Sequence, residues 1–154
     1  MVGKEIMEKE ERKRMEELLC VVAKNYKAKD ESISKKVTLS PAESRLLLVL
    51  LDSGHMTIGS IARKMDVAAS RITRLVDSLV EGKYVRRKSD PADRRRLWVM
   101  LTPKGDEIAD KLSLCSKDYH KKVIDSIPTG KHGQLLESLD LLVVGLEKAN
   151  KEGY

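Results

Sequence analysis

The sequence predicts a mainly α-helical chain with one small β-hairpin set between long helical ends. Three observations carry that prediction. Between residues 57 and 81, apolar residues recur at helical spacing in two short runs split at Asp66. From Trp98 to Leu101 the side chains alternate with the two-residue period of a strand. Both ends of the chain are charged stretches bearing apolar stripes at helical spacing. A length of 154 residues suits one domain's worth of chain with a modest core. Hydrophobic content of 41% beside 35% charge marks it as globular rather than disordered.

Residues 4 to about 29 read as a long helix, strongly charged at first, with Met15, Leu18, Leu19, Val22 and Tyr26 forming a stripe. The polar run from Asp30 to Thr38 reads as a loop. Ser40-Pro41-Ala42-Glu43 then supplies three agreeing start signals: a hydroxyl N-cap, proline at the first helical position and glutamate at the third. The helix that follows, ending near Gly54, is apolar on nearly every side from Leu46 to Leu51 and reads as a buried strut.

In the first short helix Ile58, Ile61, Ala62 and Met65 share one face. Asp66 marks the break, since a short polar side chain tolerates a sharp turn of backbone. The second helix turns Val67, Ile72, Leu75, Val76, Leu79 and Val80 inward. Ala69, Ser70, Arg71, Thr73, Arg74, Asp77 and Ser78 are left outside. A hairpin follows, its tip spanning Ser89 to Arg95, with Asp90-Pro91 as turn chemistry.

Thr102-Pro103 starts a further helix by the same hydroxyl-then-proline logic, with Asp106 and Glu107 in its favourable first turn. Its stripe is Ile108, Leu112, Cys115, Tyr119 and Val123, and Ile127-Pro128-Thr129-Gly130 ends it. The last helix places Leu135, Leu139, Leu142 and Leu146 on a narrow seam with Leu136 and Val143 beside it. Such a seam resembles a coiled-coil edge seeking a second copy, and packing on the N-terminal helix of the same chain is the alternative.

Several classes of chemistry have no footing in the sequence. There is no phosphate-cradling glycine loop and no zinc-like Cys/His spacing, so neither cofactor nor metal is expected. His55, His120 and His132 lie in unrelated elements and read as surface or structural residues. Without a clustered nucleophile, base and orienting group, the expectation is a protein that is not an enzyme. No signal peptide is read, and the longest apolar run is far short of the roughly 18 residues needed to span a bilayer. With two cysteines 95 positions apart, a reduced, cytoplasmic protein is expected.

Charge is unevenly placed. Residues 57 to 104 hold 12 basic and five acidic side chains, whereas the rest of the chain holds 18 and 19. All of the positive excess therefore falls on the helix pair and hairpin. Charge gathered in this way is an electrostatic footprint for polyphosphate, because neutralising phosphates releases condensed counterions. Ser70, Arg71, Thr73 and Arg74 lie near the start of the second helix, where small, hydroxylated and basic side chains suit entry into the major groove, about 12 Å wide.

These residues also carry a family resemblance. Leu39-Ser40-Pro41-Ala42-Glu43, Ile61-Ala62-Arg63-Lys64-Met65 and Ile72-Thr73-Arg74-Leu75-Val76-Asp77-Ser78-Leu79 resemble the helix-turn-helix of the MarR family of transcription regulators. The hairpin resembles its wing most closely, through Tyr84-Val85-Arg86-Arg87, Asp90-Pro91-Ala92-Asp93-Arg94-Arg95 and Leu101-Thr102-Pro103-Lys104-Gly105. Together they span residues 39 to 105. Two positions depart from the pattern: Ala68 stands where the family places an N-cap such as Asp or Ser, and Gly82-Lys83 inverts the usual order entering the wing.

The resemblance implies a winged helix-turn-helix DNA-binding lobe over residues 39–102. Residues 1–38 and 103–154 would form a helical dimerisation region. Arg95 would enter a minor groove, whose negative potential favours a guanidinium; Asp93 would orient it, with Arg94 and Lys88 near phosphate. The implied protein is a homodimeric, sequence-specific regulator of double-stranded DNA, a repressor on a palindromic operator, released by a small amphipathic or phenolic effector. Some family members sense peroxide through a cysteine on the first helix. Cys20 is the matching candidate, although its apolar neighbours favour a packing role. A nonspecific architectural nucleic-acid binder and a winged-helix protein-interaction module are the rival readings.

Overall fold

The computed structural model describes residues 9–90 and 97–152. In chain order it contains α1 (Lys9–Lys35), α2 (Pro41–Ser53), β1 (His55–Thr57), α3 (Ile58–Met65), α4 (Ala69–Glu81), β2 (Val85–Ser89), β3 (Leu97–Leu101), α5 (Pro103–Asp125), a 3₁₀ turn (Thr129–Lys131) and α6 (His132–Glu152). It is mainly helical with one small sheet, as the sequence predicts. Two compact units divide at residue 115, within α5: residues 1–115 and residues 116–154.

In the first unit the start of α2 is closed reciprocally. The Glu43 amide donates to Ser40 Oγ at 3.3 Å, while Glu43 Oε2 accepts from the Ser40 amide at 2.8 Å. Leu46, Leu47 and Leu50 of this helix are fully buried, which makes it the strut its composition predicts. Around it gather Ile61 and Met65 of α3, Ile72, Val76 and Leu79 of α4, Val85, Val99 and Leu101 of the sheet, and Ala109 and Leu112 of α5. Ile33 of α1 packs against the edge of this core, and Ser34 beside it is buried. Their burial explains why α1 continues to Lys35, past the loop start expected at Asp30: packing at its end overrides a polar local sequence.

The sheet holds one strand more than the predicted hairpin. Its order is β1-β3-β2, both pairs antiparallel, with Met56 opposite Val99 on one side and Arg87 opposite Val99 on the other. Three residues are too few to show alternation, so only pairing with β3 reveals β1.

The second unit is helical. His132 Nε2 lies 3.0 Å from the Ile127 carbonyl oxygen and 3.3 Å from that of Ile124, tying the start of α6 back across the Pro128 break. None of the residues of α6 is buried: Leu136, Leu141 and Val144 are more than three-fifths exposed. Among the described residues no helix is long and apolar enough to cross a membrane.

Candidate nucleic-acid interface

Helix α3 begins at Thr57, whose Oγ1 accepts the Ser60 amide at 3.2 Å, and ends at Asp66 in the left-handed conformation at φ 54°. The Asp66 turn read from sequence is thus the turn of the helix pair. The Val67 amide returns to the Ala62 carbonyl at 3.0 Å. Helix α4 then starts at Ala68 without a side-chain cap, the consequence of an alanine at that position.

One face of α4 is sealed by Ile72, Val76 and Leu79. Ser70, Arg71 and Arg74 are exposed on its first two turns; Thr73 is half-buried, its hydroxyl donating to the Ala69 carbonyl at 3.0 Å. The structure therefore brings these four candidates together on one helix, though the Thr73 hydroxyl keeps only its lone pairs for an outside partner. Lys88 is exposed on β2, an outer strand of the sheet. Asp93, Arg94 and Arg95 lie outside the described residues. Cys20 is exposed on α1 and Cys115 is half-buried on α5, both as free thiols. Among the described residues of the single chain, the packing role expected of Cys20 finds no partner surface that buries it.

Polar ties hold α4 on three sides, and sequence reasoning missed all of them. On the first side, Ser78, exposed as the sequence predicts, donates its Oγ to Glu43 Oε1 at 2.6 Å. Glu43 thereby caps α2 with one carboxylate oxygen and clamps α4 with the other. Partial burial by itself would raise its pKa, but the hydrogen bonds from the Ser78 hydroxyl and from the hydroxyl and amide of Ser40 outweigh it and hold the carboxyl below its ordinary value. On the second side, Arg87 of β2 forms an ion pair with Asp77 of α4.

The third side is the wing's base. Lys104 Nζ donates to the Gly82 carbonyl at 2.8 Å and lies 4.1 Å from the centre of the Tyr84 ring. The Tyr84 ring leaves no room for a side chain at position 82, where a Cβ would meet its Cδ2 and Cε2 at 2.7 Å. The left-handed turn consequently falls on Lys83, at φ 60°, and not on the glycine. That is the physical content of the inverted Gly82-Lys83 order. Thr102 Oγ1 closes the base by donating toward the Lys83 carbonyl, at 2.7 Å.

Two helices joined by a tight turn, with an antiparallel hairpin packed beside them, define a winged helix-turn-helix, a fold of DNA-binding transcription regulators. This chain belongs to the MarR family of such regulators. The MarR family model matches residues 37–96. Across 112 residues the chain is 31% identical to the uncharacterized HTH-type transcriptional regulator YsmB of Bacillus subtilis (strain 168), covering 73% of this chain and 77% of that one. YcgE of the same organism, another uncharacterized HTH-type transcriptional regulator, is 32% identical over 118 residues, covering 70% and 76%. In fold the chain is similar to Streptococcus pneumoniae FabT, solved in complex with DNA, with a TM-score of 0.80 at 21% identity over 89% of this chain and 98% of that one. A MarR family protein from Bacillus stearothermophilus gives 0.79 at 24% identity, over 92% and 99%.

Proposed function

We propose that this transcriptional regulator is a homodimeric repressor that reads a palindromic operator in double-stranded DNA. The observation that carries the reading is the two-faced character of α4: Ile72, Val76 and Leu79 are at most 1% exposed, while Ser70, Arg71 and Arg74 project from its first two turns. Ser70, Arg71, Thr73 and Arg74 are assigned to the major groove, Lys88 and Arg94 to phosphate, and Arg95, oriented by Asp93, to the minor groove. Such DNA binding accords with the transcriptional regulators the chain resembles and with the DNA complex of FabT.

Exposed apolar stripes on the terminal helices support the dimer. Met15, Leu18, Leu19, Val22 and Tyr26 of α1 are exposed, as are Leu135, Leu136, Leu139 and Leu146 of α6. Apolar stripes of this length on exposed helices call for a partner surface. A two-fold dimer would set its recognition helices about 34 Å apart, one turn of the double helix.

A small amphipathic or phenolic effector completes the proposal by favouring a lobe arrangement that fits DNA poorly. A cleft of about 260 Å³ lined by Asp30, Pro41, Arg45, Met65, Val67, Arg71 and Leu75 mixes apolar side chains with one carboxylate and two guanidinium groups, one of them assigned to DNA.

The test is competition between a fragment from the chain's own upstream region and bulk DNA at moderate salt, with light scattering for stoichiometry. A specific regulator is expected to favour the fragment by about 10³ or more. Equal affinity would make the chain an architectural binder, and no salt-dependent affinity at all would make the lobe a protein-interaction module.

A further inference from the structure

Strand β2 offers three consecutive cations, Arg86-Arg87-Lys88, which a reading of charge alone would assign together to phosphate. The pleat divides them. Arg86 and Lys88 stand opposite Met100 and Trp98, while Arg87 stands opposite Val99, which is fully buried on the core side of β3. Arg87 therefore leans toward the helices. There it meets the carboxylate of Asp77, which lies on α4 beyond the groove-facing run of Ser70, Arg71, Thr73 and Arg74.

We infer that Asp77 and Arg87 are a positioning pair: they lock the wing to the recognition helix so that both address DNA as one surface, and Arg87 is not itself a phosphate contact. The inference rests on the DNA-reading function proposed above and assigns two residues a role within it. Three facts on the molecule support it. The side chain of Arg87 is 31% exposed, and its guanidinium is already engaged by a carboxylate. Of the side-chain hydrogen bonds at this end of α4, Ser78 to Glu43 and Gly82 to Lys104 reach α2 and α5; beside the Tyr84 amide's bond to the Leu79 carbonyl and the buried Val85, both at the start of β2, the Asp77–Arg87 pair is the tie that reaches further along the strand. Asp77, finally, is an acid on a largely cationic helix-and-wing surface, where it opposes the approach of phosphate unless its charge serves a neighbour.

The sign of one substitution separates positioning from simple charge. Removing an acid near DNA should strengthen binding to every sequence by electrostatics alone. Positioning predicts the reverse for the preferred fragment: Asp77→Asn weakens it about fivefold, the equivalent of losing a partly exposed ion pair, while bulk DNA is bound equally or better. Arg87→Gln should match that loss without changing the salt slope, and the exchanged pair, Asp77→Arg with Arg87→Asp, should recover most of it. Stronger specific binding by Asp77→Asn, or a salt slope reduced by about one in Arg87→Gln, would overturn the inference and make Arg87 a phosphate ligand. Hydrogen exchange without DNA supplies an independent arm. The β2 amides are expected to exchange faster in Asp77→Asn while those of α2 do not change. Unchanged β2 exchange would overturn the inference even if the wild-type chain preferred no DNA fragment, the outcome that would remove the DNA-reading function.

Discussion

Helices α4 and α6 carry apolar residues at the same helical spacing and meet opposite fates. On α4, Ile72, Val76 and Leu79 lie against α2, α3 and the sheet, all supplied by neighbouring sequence. On α6, Leu135, Leu139 and Leu146 remain between 36% and 49% exposed. A stripe thus reports that a helix has an apolar face and leaves open whether its own chain covers that face. Where it does, the helix becomes part of a fixed reading surface; where it does not, the stripe is available to a second copy.

Substitutions can break that contrast. Leu47→Ala, in the fully buried centre of α2, is expected to cost about 3 kcal/mol in urea unfolding, from lost burial and the cavity left behind. The same change at Leu136, 62% exposed, should leave the unfolding midpoint of the first unit in place and shift self-association to higher concentration in sedimentation. Equal losses of stability would show that α6 is already covered within one chain.

A second substitution attacks the joint between helix and wing. A Cβ at position 105 would stand 1.9 Å from the Tyr84 carbonyl oxygen, a backbone atom with no rotamer to escape into. Gly105→Ala should therefore cost about 2 to 3 kcal/mol, read as a lowered melting temperature. Close behind, Arg74→Ala should cost about 1 to 3 kcal/mol in operator affinity in a gel-shift titration while leaving stability unchanged. Binding unchanged by that substitution would move the reading surface away from α4.

Two smaller effects sharpen the picture. Lys83→Gly should stabilise the fold by about 1 kcal/mol, because the left-handed backbone at this position strains any side chain but suits glycine. The second effect follows pH. Since the Glu43 carboxyl is held below its ordinary value in the folded chain, its contribution is complete above the unfolded pKa and is lost as pH falls through the lower, folded one. Glu43→Gln should flatten the acid limb of a stability profile measured below about pH 4.5, a curve that depends on the Ser78 clamp as well as on the cap.

The sequence made some of this legible for local reasons. Ser40, Pro41 and Glu43 announce α2 because a capping box is closed among near neighbours, and Asp66 announces the turn because few residues accept its backbone. The exposure of Ser70, Arg71 and Arg74 was equally readable, since exposure on a helix follows from its buried spacing, whereas Thr73 is half-buried. What escaped depends on contacts between distant segments. His55-Met56-Thr57 becomes a strand only through β3, and the last turn of α1 forms although its residues read as loop. The Asp77–Arg87 pair likewise joins positions ten apart across the turn into the wing, where spacing along a single helix or strand gives no hint.

Thr57 belongs to two frames at once. It is the last rung of β1, facing Trp98, and also the cap that opens α3. Because β3 pairs with both outer strands, a tilt of the hairpin reaches the opening of α3 through Thr57 as well as α4 through the Asp77–Arg87 pair, so the sheet grips the helix pair at two separate points.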